Sequence, residues 1–133
     1  MKDTERAREQ ARAQLDSIVE MVKAMENGGE IDGEQVTHEQ AEQLIQESPL
    51  AIEVRTEWHT VGAEDNKPTE YNILLCTGGP AVRIIGELNE YGEPETAKME
   101  YIDWFTPWQW YGCTSQEEAM LLTYAQQFYY GEG

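Results

Sequence analysis

At residue 50 the spacing of apolar residues changes from steps of three and four to steps of two, so a helical first part must give way to a strand-built second part. Before that point Ala7, Ala11, Leu15, Ile18, Val22 and Met25 recur at helical spacing with charged residues between them. This predicts a helix over residues 3–26, ended by Asn27-Gly28-Gly29. Its first half carries only alanines on the apolar stripe, which leaves about two turns free to project from the body or to pair with another copy. Residues 28–33 read as a flexible acidic connection. Thr37 and Gln40 then fit a capping box for a second helix over 38–47, with Ala41, Leu44 and Ile45 inward and Ser48-Pro49 as its end.

Beyond residue 50, Ile52 to Trp58 alternates apolar and polar residues as a strand with one wet face does. Residues 61–69, with Gly62, Asp65, Asn66 and Pro68, form a loop. Tyr71 to Cys76 is apolar on both sides and therefore central in a sheet. A turn at residues 77–80 leads to a third strand, Ala81 to Leu88, and a turn at 89–96 to a fourth, Ala97 to Trp104. Ser115 and Glu118 fit a capping box for a last helix through Leu121, Leu122, Ala125 and Phe128. Short links between successive strands favour an antiparallel order. The expectation is an α+β fold in which a four-stranded antiparallel meander carries two N-terminal helices and one C-terminal helix. At 133 residues the chain suits a single domain, residues 1–133, made of the N-terminal helix (1–27) and an α+β body (37–133).

Charge narrows the function. The chain has 26 acidic and 9 basic residues, a formal charge of -17, which disfavours direct binding to nucleic acid or to an anionic membrane and favours a basic partner. The 13 aromatic residues separate it from acidic disordered chains. Residues 1–27 hold five basic and six acidic residues, whereas residues 28–133 hold only Arg55, Lys67, Arg83 and Lys98 against 20 acids. The acidity therefore belongs to the body. No apolar run approaches the roughly 18–20 residues of a membrane span, and the charged N-terminus lacks the apolar core of a secretory signal, so a cytoplasmic location is expected.

Catalytic, cofactor and metal sites find little to rest on. Cys76 and Cys113 are too far apart for a metal knuckle or a redox pair and read as reduced thiols in or near the core. His38 and His59 read as surface histidines, with no third ligand nearby. Thr77-Gly78-Gly79-Pro80 leads into a strand rather than a helix N-terminus and so reads as a hairpin turn, not a phosphate loop. With 26 acidic residues, chance pairing of carboxylates singles out no acid–base couple, so the chain reads as a non-enzyme without cofactor or metal. The densest local feature is the aromatic stretch Trp104 to Tyr111, which serves either as core over the end of the sheet or as a partner-binding patch.

The stretch EYNILLCTGGPAVRIIGELNEYGEPETAKMEYIDWFTPWQWY, residues 70–111, together with the closing YAQQFYYGEG, resembles a family of small acidic bacterial proteins carried by phages, plasmids and other mobile elements. That resemblance implies kinship in kind with anti-restriction and anti-CRISPR inhibitors, DNA mimics among them, and it brings no catalytic residues to carry over. Charge and resemblance lead to one expectation: a non-enzymatic inhibitor that occupies the basic surface of a nucleic-acid-binding protein or defence complex by nucleic-acid mimicry. Its candidate contacts are Glu87, Glu90, Glu93, Glu95, Glu100 and Asp103 with Trp104, Trp108, Trp110 and Tyr111. Two alternatives stand beside it: a charge that serves only solubility, and an assembly module that forms a homodimer through the N-terminal helix or the aromatic patch.

Overall fold

A computed structural model describes residues 2–58, 60–62, 67–77, 79–103 and 107–130, with side chains from Glu5 onward. Helix α1 (Lys2–Asn27) leads into a short hairpin, β1 (Gly29–Ile31) and β2 (Glu34–Val36), and then into α2 (His38–Glu47). Strands β3 (Ala51–Arg55), β4 (Glu70–Cys76), β5 (Ala81–Glu87), β6 (Lys98–Ile102) and β7 (Gln109–Tyr111) follow, and α3 (Ser115–Ala125) closes the order. The five strands β3 to β7 make one antiparallel sheet in sequence order.

This corrects the four-stranded meander in two places. The end of the aromatic stretch is a fifth strand: Gln109, Trp110 and Tyr111 face Tyr101, Glu100 and Met99 of β6, with Trp110 turned outward and Tyr111 inward. The segment after α1 is not a loose connection but a two-stranded hairpin, in which Gly29 faces Val36 and Ile31 faces Glu34. Its turn residues Asp32 and Gly33 both have positive φ, 52° and 82°, as a type I′ turn requires. The backbone N–H of Asp32 donates to Glu20 Oε1 at 3.1 Å and ties the hairpin to α1.

The core lies between one face of the sheet and the helices. Ala7, Ala11, Leu15, Ile18 and Val22 of α1 are essentially inaccessible, together with Tyr71, Ile73, Val82, Ile84 and Met99 of the sheet and Leu121 and Tyr124 of α3. Helix α1 packs against α2, α3, β5 and β6. Because Ala7 and Ala11 are fully buried, the alanine half of α1 lies in the core instead of projecting, and its stripe is closed to a second copy. The small side chains let the helix axis approach its neighbours closely. Helix α2 has the capping box at Thr37 and Gln40. In α3 the box is one residue earlier than Ser115 and Glu118, at Thr114 and Glu117.

Strand β3 departs from the half-buried reading. It is an edge strand, and all five of its residues are exposed because the helices do not extend over it. Among the described residues no helix is long and apolar enough to cross a membrane.

Candidate functional site

The connection between β5 and β6 is built to hold its shape. Asn89 Oδ1 accepts from the backbone N–H groups of Tyr91 (2.8 Å) and Glu93 (3.0 Å), and the Asn89 N–H donates to the Glu93 carbonyl at 2.8 Å. Such an Asx turn fixes the chain without help from a partner. Leu88 and Pro94 bridge at its base and are buried. Four of the candidate carboxylates, Glu87, Glu90, Glu93 and Glu95, are thereby displayed together, all exposed, with Tyr91 also exposed at the tip. None of the four makes an ion pair among the described residues.

The other candidates scatter. Glu100 accepts from Arg83 Nε (2.9 Å) and Nη2 (2.7 Å), and the Arg83 guanidinium lies 3.9 Å from the Trp108 ring centre, so Glu100 and Trp108 serve a neutralised cluster. Asp103 is buried and lends nothing to an acidic rim. Tyr111 is core, 6.3 Å from Tyr101 edge to face and beneath Arg8. Trp110 is the exposed member, opposite Glu100 on the sheet. Trp104 lies outside the described residues, as does His59. The aromatic stretch is thus part core and part surface.

The face of the sheet turned away from the helices carries cross-strand rows set by register. Arg55, Glu70 and Glu87 form one, Glu53, Asn72, Ile85 and Lys98 the next, and Leu74, Arg83, Glu100 and Trp110 a third. Three of the four basic residues of the body, Arg55, Arg83 and Lys98, sit here. Arg55 donates to both carboxylate oxygens of Glu70, and that hydrogen bonding holds the Glu70 carboxyl below the usual range. A shallow cavity of about 430 Å³ lies over the first two rows, and at its floor Asn72 Oδ1 is buried without a hydrogen-bond partner. This face is therefore mixed in charge and not acidic.

A larger set of exposed carboxylates among the described residues was not among the candidates. Asp16, Glu20 and Glu26 on α1, Glu30, Asp32 and Glu34 around the hairpin, and Glu39, Glu42 and Glu47 on α2 are all exposed, on consecutive elements packed against α1. Lys23 is the one lysine or arginine in this stretch. Arg12 pairs with Asp16 at 3.0 Å, and His38 with Glu42 at 3.0 Å. The Met25 carbonyl, accepting from His38 Nδ1 at 2.5 Å, and the nearby Glu42 together raise the His38 pKa. The other seven carboxylates make no ion pair among the described residues. A count of charge over residues 16–47 alone would have located this surface.

Among the described residues no group of three or more histidine, cysteine or carboxylate side chains comes together as metal ligands would. Cys76 and Cys113 are free thiols, each half-buried. Comparison with protein-family models, with curated proteins and with solved structures found no match.

Proposed function

We propose that this protein is a non-enzymatic acidic binding protein that competes with nucleic acid for the basic surface of a nucleic-acid-binding partner, a defence complex of the host in particular. One observation carries the proposal: the separation of charge over the molecule. Arg55, Arg83 and Lys98 gather on the open sheet face, and Arg6, Arg8 and Arg12 on the first half of α1, while residues 16–47, from the second half of α1 through the β1–β2 hairpin to α2, display nine exposed carboxylates against a single lysine, and the β5–β6 connection adds four more. A coat that served solubility alone would gain from interspersed charge of both signs. Concentrated carboxylates on ordered elements instead reproduce the dense negative field of a phosphate backbone and steer association with a basic groove.

The revised contact surface follows from exposure. Glu87, Glu90, Glu93 and Glu95 remain candidate contacts, Glu100 and Asp103 are engaged within the fold, and residues 16–47 supply the larger number of exposed carboxylates. The test is binding of the full chain to purified restriction and CRISPR effectors over a salt series. Affinity should fall steeply as salt rises, and the triple reversal Glu26→Lys, Glu34→Lys, Glu39→Lys should weaken it more than the same number of reversals on the open sheet face. Binding that ignores salt, or that survives the reversals, would overturn the proposal.

A further inference from the structure

The outer edge of the sheet is open, and its residues suit one occupant. Among the described residues strand β3 hydrogen-bonds to β4 on one side only, and its five residues are all exposed. The apolar members follow the pleat: Leu50, Ile52 and Val54 are 60%, 36% and 43% exposed, and Ile52 and Val54 share the face of Ile73 and Tyr71. Glu53 and Arg55 occupy the opposite face. The chain then continues through Thr56 and Glu57 to Trp58, whose side chain is wholly exposed. An unpaired strand edge lined with apolar side chains is a template for another strand.

We infer that β3 pairs antiparallel with β3 of a second copy about a two-fold axis through Val54, joining two five-stranded sheets into one. Register decides the occupant. In a two-fold antiparallel pair, residues that face each other must share a face of the pleat, so the axis passes through a residue and not between two. An axis at Glu53 or at Arg55 sets like charges directly against each other, and an axis at Ile52 leaves Arg55 facing Pro49. An axis at Val54 sets Glu53 against Arg55 twice, Val54 against Val54, Ile52 against Thr56 and Leu50 against Trp58. Both charges find a partner, and Trp58, the most exposed aromatic among the described residues, covers Leu50 just before the strand. Within each copy Arg55 also donates its Nε and Nη2 to Glu70 of β4, so the guanidinium joins two carboxylates across the seam.

This inference is independent of the proposed partner, and salt separates the two. Each copy carries a formal charge of -17, so self-association is opposed by long-range repulsion that salt screens. Dimer content should therefore rise with salt, the reverse of the trend expected for a basic partner. The experiment is light scattering after size exclusion on the full chain, at low and high salt and over a range of loading. The native chain should dimerise, and Glu53→Arg and Arg55→Glu should each be monomeric because each faces like charges across the axis. An equimolar mixture of the two variants should form a heterodimer, since opposite charges then meet at both positions. Val54→Lys, which leaves both charges and the Arg55–Glu70 pair intact, should also be monomeric with unchanged circular dichroism. A native chain that is monomeric at every salt and loading, a dimer that survives these substitutions, or a mixture that stays monomeric would overturn the inference.

Discussion

Gly86 stands directly across from Tyr71 in the β4–β5 ladder, and the phenol ring fills the space that a side chain at Gly86 would take. A Cβ there would come within 2.7 Å of the Tyr71 ring and within 1.9 Å of the Thr96 carbonyl oxygen, which accepts the Tyr71 hydroxyl at 2.6 Å. The absence of a side chain is thus what lets Tyr71 cross β5 and fasten the returning chain just before β6. Tyr130, its ring centre 5.1 Å from that of Tyr71 and tilted against it, donates its hydroxyl to the Ala125 carbonyl and is itself buried in the core.

Gly86→Ala should destabilise the fold by about 1–3 kcal/mol, because both clashing groups are held by hydrogen bonding and neither can withdraw cheaply. Tyr71→Phe, which keeps the ring and loses only the hydroxyl, should cost about 1 kcal/mol. Urea unfolding of the two variants beside the native chain measures both. Equal costs, or a larger cost for the phenylalanine variant, would contradict the steric account.

Helix α3 starts on a pH-sensitive contact. Thr114 Oγ1 accepts from the Glu117 N–H at 3.1 Å, and the Glu117 carboxylate accepts from the Thr114 N–H at 2.9 Å and from Arg12 Nη1 at 2.8 Å. The Thr114 N–H foremost, with Arg12 behind it, holds the Glu117 carboxyl below the usual carboxylate range. A carboxyl whose pKa is depressed in the folded state stabilises the fold above its unfolded value, and that contribution is lost as the pH falls through the folded value. Glu117→Gln should therefore lower stability at neutral pH, and the difference should shrink as the pH drops through the acid range. Denaturant melts of both proteins from neutral to acidic pH test it, and a difference that stays constant with pH would refute the linkage.

How far the residues alone reveal this structure depends on whether a feature is local. The Thr37–Gln40 box, the apolar stripe of α1 and the in-out alternation of Val82 and Ile84 are local, and each is found where its pattern lies. The start of α3 is ambiguous within Thr114-Ser115-Gln116-Glu117-Glu118, because two overlapping capping boxes fit and only the structure chooses between them. The Asp32–Gly33 turn is a strong hairpin signal whose three-residue strands are too short and too charged to show alternation. β3 shows the alternation of a half-buried strand, but its burial depends on how far the helix layer extends, which no local pattern records. The same holds for the candidate site: exposure of Glu90 and Glu93 follows from their turn, whereas the pairing of Glu100 with Arg83 follows from the β5–β6 register.

The two thiols should be sluggish nucleophiles. Burial, with the carboxylates of Glu117 and Glu118 behind it, pushes Cys113 up to about 11, and burial likewise raises Cys76. The thiolate is the reactive form, so at pH 8 only a small fraction of either residue is competent to attack a disulfide reagent. Reaction of the native chain with Ellman's reagent should be slower than that of the urea-unfolded chain, with Cys113 released by raising the pH well above 9. Glu117→Gln should speed Cys113 modestly, by removing a neighbouring negative charge, and leave Cys76 unchanged. A native rate equal to the unfolded one, or a Cys113 that titrates as an ordinary thiol, would show that the half-buried setting does not control its chemistry.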